Sequence, residues 1–306
     1  MADPPEQHET AGEHETAGDP VADGATVELA LNDLRRELPL APGDVRQFLP
    51  GLEPERQVTD WGRSERVEGL VDRTLYEFLY HYWFRVEVEG VENVPDHGGA
   101  LLVANHAGAV PPDGAMIGKA IREEHAHPRP LHLTMEPSFT GFPGVGMLAT
   151  KIGGVPAHPA NVHRLLFDER QLVLVFPEGR QGAEKRLRDR YRVRRFGRGG
   201  VVEAAMRARA PIVPIAVVGA EEAQPVFARL SLLRRLTRLP SVPVTSPLPL
   251  PAKFRIRFLE PVWTDELGDA PWEDQGLVQT LSHDIRALIQ ENLFEMVAAR
   301  RSVWLG

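Results

Sequence analysis

The feature that most constrains the fold is a series of short, continuous apolar runs separated by segments with helical spacing. Ala100–Ala104, Leu172–Phe176 and Ile212–Val218 are such runs, and they are typical of strands buried on both faces of a sheet. Shorter patterns predict further strands over residues 85–88, 131–134 and, as an edge or half-exposed strand, 254–258. Helical spacing predicts helices at Arg63–Phe84, Pro112–Glu124, Asn161–Phe167, Gly199–Arg209 and Asp274–Arg300. This alternation predicts an α/β fold with a largely parallel central sheet covered by helices.

The acidic residues are concentrated at the start of the chain, before the first predicted strand. The formal net charge is −8, but nine of the 43 acidic residues lie within residues 1–34, which contain no Lys or Arg. Residues 1–25 are also poor in large apolar side chains, so we expect a disordered acidic tail there. We expect an N-terminal helical region over residues 26–80, an α/β domain over 81–265, and a C-terminal helix over 266–306 that packs on the domain.

Composition excludes several classes of protein and site. The chain has no cysteine, which excludes disulfide scaffolds, cysteine nucleophiles and thiolate-held metals. The apolar runs are far shorter than the ~18 residues that a membrane-spanning helix needs. The N-terminus is acidic rather than basic and then apolar, so it does not resemble a secretory signal. These features lead us to expect a cytoplasmic protein.

The first polar group follows the run that ends at Ala104. Asn105 and His106 come directly after this predicted strand, and Asp113 opens the next predicted helix. Ligands of open α/β sheets bind at the carboxyl ends of the strands, and histidine is the side chain best suited to act as a base near neutral pH. Asp113 could hold the second ring nitrogen. The alternative is that His106 only ends the strand and Asp113 only caps the helix.

The second polar group follows the next buried run. Phe176-Pro177-Glu178-Gly179-Arg180 forms a strand-end turn in which glycine lets backbone N–H groups approach an anion. Eight cationic residues then lie within fourteen positions, namely Lys185, Arg186, Arg188, Arg190, Arg192, Arg194, Arg195 and Arg198. They indicate either an anionic ligand or membrane surface, or simply a solvated face.

Together these blocks resemble the PlsC-like glycerolipid acyltransferases, the lysophospholipid acyltransferase superfamily. The family's Asn-His…Asp block is similar to Asn105-His106…Asp113, and its Phe-Pro-Glu-Gly block to Phe176–Gly179. Two further blocks, residues 152–164 and 210–215, are similar to family segments in the same order. The resemblance spans roughly residues 80–262. It implies a glycerol-3-phosphate acyltransferase-like fold and transfer of an acyl group from a thioester to a glycerolipid hydroxyl.

The resemblance also implies roles for individual residues. His106 is expected to be the general base and Asp113 its partner, without a covalent acyl-enzyme. The acceptor is expected to contact Asn105 and the residues around the second block: Phe176, Pro177, Glu178, Gly179, Arg180 and Lys185. Two features depart from the family pattern. Six residues separate His106 from Asp113 instead of four, and Arg180-Gln181-Gly182 replaces Thr-Arg-Ser.

The implied substrates lead to expectations about partners. The donor is acyl-CoA or acyl-carrier protein, and no metal or bound cofactor is expected. Lipid acceptors imply peripheral contact with the inner face of the plasma membrane. Phe227–Leu239 has leucines on one helical face and arginines over the rest, which predicts a basic amphipathic surface helix, against the membrane or against the body. Few aromatic residues interleave the basic run, so nucleic-acid binding is not expected.

Two alternatives remain open at this point. A catalytically inactive relative would bind lysolipid or vesicles without releasing CoA. An acyl-thioester hydrolase would use His106 to activate water and would release free fatty acid without an acceptor.

Overall fold

A computed structural model describes residues 58–107, 112–136, 144–197, 199–230, 242–246 and 248–304. The predicted acidic tail and residues 26–57 of the predicted N-terminal helical region lie outside these ranges.

The centre of the fold is a seven-stranded sheet. Its strands are β1 (Glu87–Glu89), β2 (Ala100–Ala104), β3 (Leu131–Met135), β4 (Gly154–Pro156), β5 (Leu172–Val175), β6 (Ile212–Val218) and β9 (Arg255–Phe258). Their order across the sheet is β1-β9-β6-β2-β5-β3-β4. Strands β6, β2, β5, β3 and β4 are parallel to one another, whereas β9 is antiparallel to β6 and parallel to β1. The predicted largely parallel sheet is therefore confirmed.

Helices cover both faces of this sheet. On the first face lie α1 (Glu65–Val71, continued by π-helical turns to Trp83) and α2 (Asp113–Glu124). On the second face lie α4 (Pro159–Phe167), α6 (Gly200–Ala208) and α8 (Gln275–Ala298). The helices α3 (Val145–Lys151), α5 (Arg180–Ala183) and α7 (Ala220–Ala223) are short. Strand side chains alternate between two apolar cores, as in β2, where Leu101 and Val103 face the second side and Leu102 faces the first.

Residues 254–258 were predicted as an edge or half-exposed strand. The structure shows a half-exposed strand there, but the strand does not lie at the edge of the sheet. β9 has alternating half-buried and buried residues, as its sequence predicts. It lies second in the sheet because β1 pairs along its outer side, with Val88 opposite Ile256. Sequence alternation reports which face of a strand is buried, and it carries no information on whether a further strand pairs beside it.

The N-terminal helix buries a different set of residues from the one that regular helical spacing predicts. Regular helical spacing places Leu75 and Phe78 on the same apolar face as Val67, yet they are about half exposed, and Tyr80 is buried instead. Two π-helical turns, Asp72–Tyr76 and Leu79–Trp83, explain the difference. A π turn takes more residues than the 3.6 of an α-helix, so each one rotates the following side chains around the axis.

The segment Phe227–Leu239, predicted as a basic amphipathic helix, begins with a strand. Ala228–Leu230 forms strand β7, which pairs antiparallel with β8 (Val242–Val244). The helix prediction is wrong for these residues, and residues 231–239 lie outside the described ranges. Helical spacing within one segment cannot reveal a strand partner that follows more than ten residues later. Strand β4 and helix α3 were also missed, because both are short.

Candidate active site

The parallel strands bring three polar strand ends to one edge of the sheet. β2, β5 and β6 run in the same direction, with Val103 paired to both Val175 and Pro214. His106 follows β2, Glu178 follows β5, and Glu221 follows β6. Because the carboxyl ends of parallel strands meet at one edge, residues far apart in sequence become neighbours there.

His106 and Asp113 form a side-chain pair at this edge. His106 Nδ1 lies 3.1 Å from Asp113 Oδ2. The Asp113 side chain is 1% exposed and that of His106 is 14% exposed, so the pair sits at the boundary between core and solvent. With Nδ1 donating its hydrogen to the carboxylate, Nε2 is the ring nitrogen with a free lone pair. This arrangement can accept a proton from a bound hydroxyl or water.

Backbone contacts hold Asp113 in place across the six-residue spacing. Its Oδ2 also accepts from Ala107 N at 3.3 Å, and its Oδ1 accepts from Gly114 N at 2.8 Å. Asp113 is the first residue of α2, where free N–H groups and the helix dipole favour a negative charge. The structure thus brings Asp113 to His106 although the interval is longer than in the family pattern.

Phe176 and Asn105, one from each of the two motif blocks, fix the surroundings of His106. The Phe176 ring stacks on the imidazole, with ring centroids 4.2 Å apart and planes 24° from parallel. Asn105 is buried, and its amide donates to Val217 O at 3.0 Å and accepts from Val217 N at 2.8 Å. Asn105 therefore ties the end of β2 to β6, and its side chain is not open to a ligand.

Glu178 and Lys185, both predicted in acceptor binding, lie inside a buried charged cluster. Glu178 Oε1 accepts from His106 N at 2.9 Å, and Oε2 accepts from Arg194 N at 2.5 Å. Lys185 Nζ lies 3.3 Å from Glu178 and 2.7 Å from Glu221 Oε1. All three side chains are at most 5% exposed. They hold the backbone of His106 rather than face a substrate.

The cluster continues to the end of the C-terminal helix, a connection that sequence reasoning missed. Glu221 Oε2 accepts from Tyr191 N at 2.7 Å, and the Tyr191 hydroxyl donates to Glu222, which Arg300 contacts at 2.8 Å. Burial raises the pKa of Glu221, although Lys185 opposes the shift. Glu221 could have been found from sequence, because it follows a buried strand at the same edge as His106 and Glu178.

Arg180 is the predicted site residue with the most open side chain. It begins α5, is 52% exposed, and lies 3.8 Å from Glu136 Oε1 and 3.5 Å from Glu184 Oε1. Gly179, just before it, has a φ of 52°, which favours glycine. At these distances the carboxylates leave the guanidinium able to bind an anion.

An apolar cavity of about 140 Å³ lies beside the same turn, on the face that carries α6 and α8. Its lining suits a segment of hydrocarbon chain and offers no charged group. The lining includes Val103, Pro177, Phe196, Val202, Ser282 and Ile285.

Within the described ranges, one group of acidic and histidine side chains has the spacing of a metal site, and it lies away from this edge. Glu77, His81 and Glu123 are its members. Lys119 Nζ lies 2.8 Å from Glu77 Oε2 and 2.5 Å from Glu123 Oε1. The lysine thus already supplies a cation to two of the three side chains.

The described part of the chain contains no helix long and apolar enough to cross a membrane.

Comparisons with known proteins identify relatives of this chain and of its fold. A family model described as "Acyltransferase" matches residues 85–218, which include His106, Asp113 and Glu178. An uncharacterized protein of Mycobacterium tuberculosis is 40% identical over 297 residues, covering 93% of this chain and 82% of its own length. An uncharacterized protein of Mycobacterium leprae is 39% identical over 290 residues, covering 92% and 78%.

A solved structure has the same fold. The 1-acyl-sn-glycerophosphate (LPA) acyltransferase PlsC from Thermotoga maritima aligns with a TM-score of 0.52 at 18% identity, covering 78% of this chain and 82% of that one. The expected glycerol-3-phosphate acyltransferase-like architecture is thereby confirmed. The family model and the strand-end motifs within it identify an acyltransferase domain over residues 85–218, and its fold is that of the PlsC acyltransferase.

Proposed function

We propose that this acyltransferase moves a fatty acyl group from acyl-CoA or acyl-carrier protein to a hydroxyl of a lysophospholipid or acylglycerol. The observation that carries the proposal is the His106–Asp113 pair, at 3.1 Å, at the carboxyl edge of the sheet. Its Nε2 is the nitrogen available for a proton.

The proposed reaction begins with proton transfer from the acceptor hydroxyl to His106 Nε2. The hydroxyl oxygen attacks the thioester carbonyl carbon, and the bond from that carbon to sulfur breaks as the new ester forms. The sulfur leaves as the thiol, taking up the proton that His106 held. Asp113 keeps Nδ1 protonated and stabilises the imidazolium in between. The scheme needs no acyl-enzyme and no resident metal or cofactor.

We assign the buried cluster a positioning role in this reaction. Glu178 binds the His106 N–H, and Lys185 and Glu221 hold Glu178. Phe176 keeps the imidazole plane in one orientation by stacking on it. These contacts support a base whose position is set before the acceptor binds.

We assign the anionic part of the acceptor to Arg180, the most exposed of the predicted binding residues. A glycerolipid acceptor is also supported by the Thermotoga protein of the same fold, which is a 1-acyl-sn-glycerophosphate acyltransferase. Because such acceptors reside in membranes, the proposal includes peripheral contact with the inner face of the plasma membrane.

The test is thiol release from palmitoyl-CoA, measured with and without a panel of lysophospholipids and monoacylglycerols. We expect release that requires one class of acceptor and yields the acylated product in equal amount. The Arg180→Gln variant should raise the KM of a phosphorylated acceptor and leave that of an uncharged one unchanged.

Other outcomes separate the alternatives. Release without an acceptor, with free fatty acid as product, would make the protein a thioester hydrolase. Absence of release with either acyl-CoA or acyl-carrier protein, together with lysolipid binding, would make it an inactive lipid-binding relative.

A further inference from the structure

The loop formed by residues 186–195, here called the arginine loop, is fixed beside the candidate active site. Four contacts anchor it to the buried cluster. Lys185 Nζ, just before the loop, reaches Glu178 and Glu221. Within the loop, Tyr191 N donates to Glu221 and Arg194 N donates to Glu178. Since Glu178 also binds His106 N, the loop is two hydrogen bonds away from the proposed base.

The outer side of the loop carries positive charge that the described ranges of the chain do not neutralise. Arg186, Arg188, Arg192 and Arg195 are exposed, and none of them forms an ion pair with another residue in the described part of the chain. The loop's acidic residue, Asp189, pairs with Arg194 at 3.1 Å. Four unpaired guanidinium groups on one anchored loop attract anions strongly.

Large apolar side chains are exposed next to these arginines. Arg186 and Val226 form a parallel β-bridge, so Leu187 and Phe227 each directly follow a residue of this bridge. Phe227 is 62% exposed and Leu187 is 37% exposed. An exposed aromatic ring beside cations is the combination by which surface elements enter the headgroup region of a bilayer.

We propose that the arginine loop and Phe227 form the surface that seats this protein on an anionic lipid membrane. The arginines bind the headgroup phosphates, and Phe227 and Leu187 enter the interface. The exposed Phe227 ring and Leu187 favour a lipid surface over an acidic protein partner. An acidic protein would pair with the arginines but would not need exposed apolar side chains beside them. The proposal rests on the proposed function for its lipid substrates, and it names where the membrane lies relative to His106.

The test is co-sedimentation of the full chain with vesicles of phosphatidylcholine alone and of phosphatidylcholine mixed with phosphatidylglycerol. We expect preference for the anionic vesicles and a decline in binding as salt rises. The R186Q/R188Q variant should bind them at least ~10-fold more weakly, since each basic residue near a membrane contributes roughly fivefold. The F227S variant should weaken binding to both vesicle types.

Matched controls lie at the opposite edge of the sheet. Arg207 and Arg209, at the end of α6, are exposed arginines, and Phe167, at the end of α4, is 55% exposed. Both elements end just before a parallel strand begins, so these residues lie at the amino edge. The R207Q/R209Q and F167S variants should bind vesicles as the wild type does.

Turnover provides a second readout. With a short-chain lysolipid below its micelle concentration, R186Q/R188Q should keep wild-type activity, whereas with acceptor in anionic vesicles it should lose activity. Equal loss in both assays would place these arginines in the catalytic site and overturn the proposal.

Vesicle binding is measured without turnover, so it tests this surface even if the proposed reaction is wrong. Wild-type binding that ignores lipid charge, or equal weakening by the control variants, would overturn the proposal. A further outcome would also overturn it. If R186Q/R188Q bound vesicles as the wild type does but no longer bound acyl-carrier protein in a pull-down assay, the arginine loop would be a surface for an acidic protein.

Discussion

At the scale of single residues, the candidate site separates a reacting pair from the groups that hold it. His106 reaches solvent and pairs with Asp113, whereas Glu178 and Lys185 are enclosed. The Glu178 side chain is fully buried and its oxygens already bind two backbone N–H groups and Lys185, so it is not open to an acceptor. We therefore expect substitutions at Glu178 and Lys185 to act on kcat through the position of His106, rather than on the KM of the acceptor.

Lys185→Met tests this expectation. Removing the ammonium leaves Glu178 and Glu221 buried without their cation, which destabilises a fold by about 3–5 kcal/mol. We expect a lower melting temperature and, at a temperature where the variant is still folded, a kcat at least ~10-fold lower with little change in acceptor KM.

Lys119→Met is the matched control. Lys119 is equally buried and also pairs with carboxylates, but these belong to α1 and α2. It should lower the melting temperature, although less than Lys185→Met because Glu77 and Glu123 are partly exposed, and leave kcat unchanged. A Lys185 variant that raises the acceptor KM alone would return Lys185 to the binding site.

At the scale of elements, the carboxyl ends of β2 and β5 create the site, and this much follows from sequence. Apolar runs locate both strands, and the polar residues after them include His106, Asp113 and Glu178. Sequence does not reveal which of these residues point inward, because the burial of Glu178 depends on Lys185 and on the distant Glu221. The exposure of Phe78 was likewise hidden, because π-helical turns change the helical period.

Close packing between α5 and the end of β2 gives a prediction at this scale. A Cβ atom added at Gly182 would lie 2.8 Å from Glu178 Cβ and 3.0 Å from His106 Cβ. Gly182→Ala should therefore displace the base and lower kcat by roughly 10–100-fold, with a stability cost of about 1–3 kcal/mol.

Gly197→Ala provides the control, because an added Cβ there meets no atom within 4 Å. It should leave kcat at the wild-type level. Wild-type activity in Gly182→Ala would mean that the packing of α5 against β2 does not position His106.

At the scale of the whole molecule, the sheet contains a buried histidine that links stability to pH. His132 lies on β3, and its Nδ1 has no hydrogen-bond partner among the described residues. Burial and, to a smaller extent, the Arg63 guanidinium lower the pKa of His132 to about 4, while Glu68 opposes the shift. In the unfolded chain the pKa is near 6.5, so below that pH the unfolded state binds a proton that the folded state excludes.

Stability should therefore fall as the pH drops from about 6.5 towards 4, by about 3 kcal/mol from this residue. His132→Leu, which cannot titrate, should lose correspondingly less stability in urea unfolding across that range. His97→Leu, an exposed histidine, should follow the wild type. Identical pH dependence in the His132 variant and the wild type would contradict this, because it would mean that His132 takes up its proton equally in the folded and unfolded states.

The central claim, that His106 is the base of an acyl transfer, is tested most directly by acceptor-dependent thiol release from palmitoyl-CoA in His106→Ala and Asp113→Asn. General bases contribute roughly 10²–10⁴-fold to such rates, so His106→Ala should lose at least ~10²-fold in kcat while its melting temperature stays near that of the wild type. Asp113→Asn should lose activity in the same direction, because it removes the carboxylate that holds Nδ1–H. If folded His106→Ala retained more than about a tenth of the wild-type rate, His106 would not be the base.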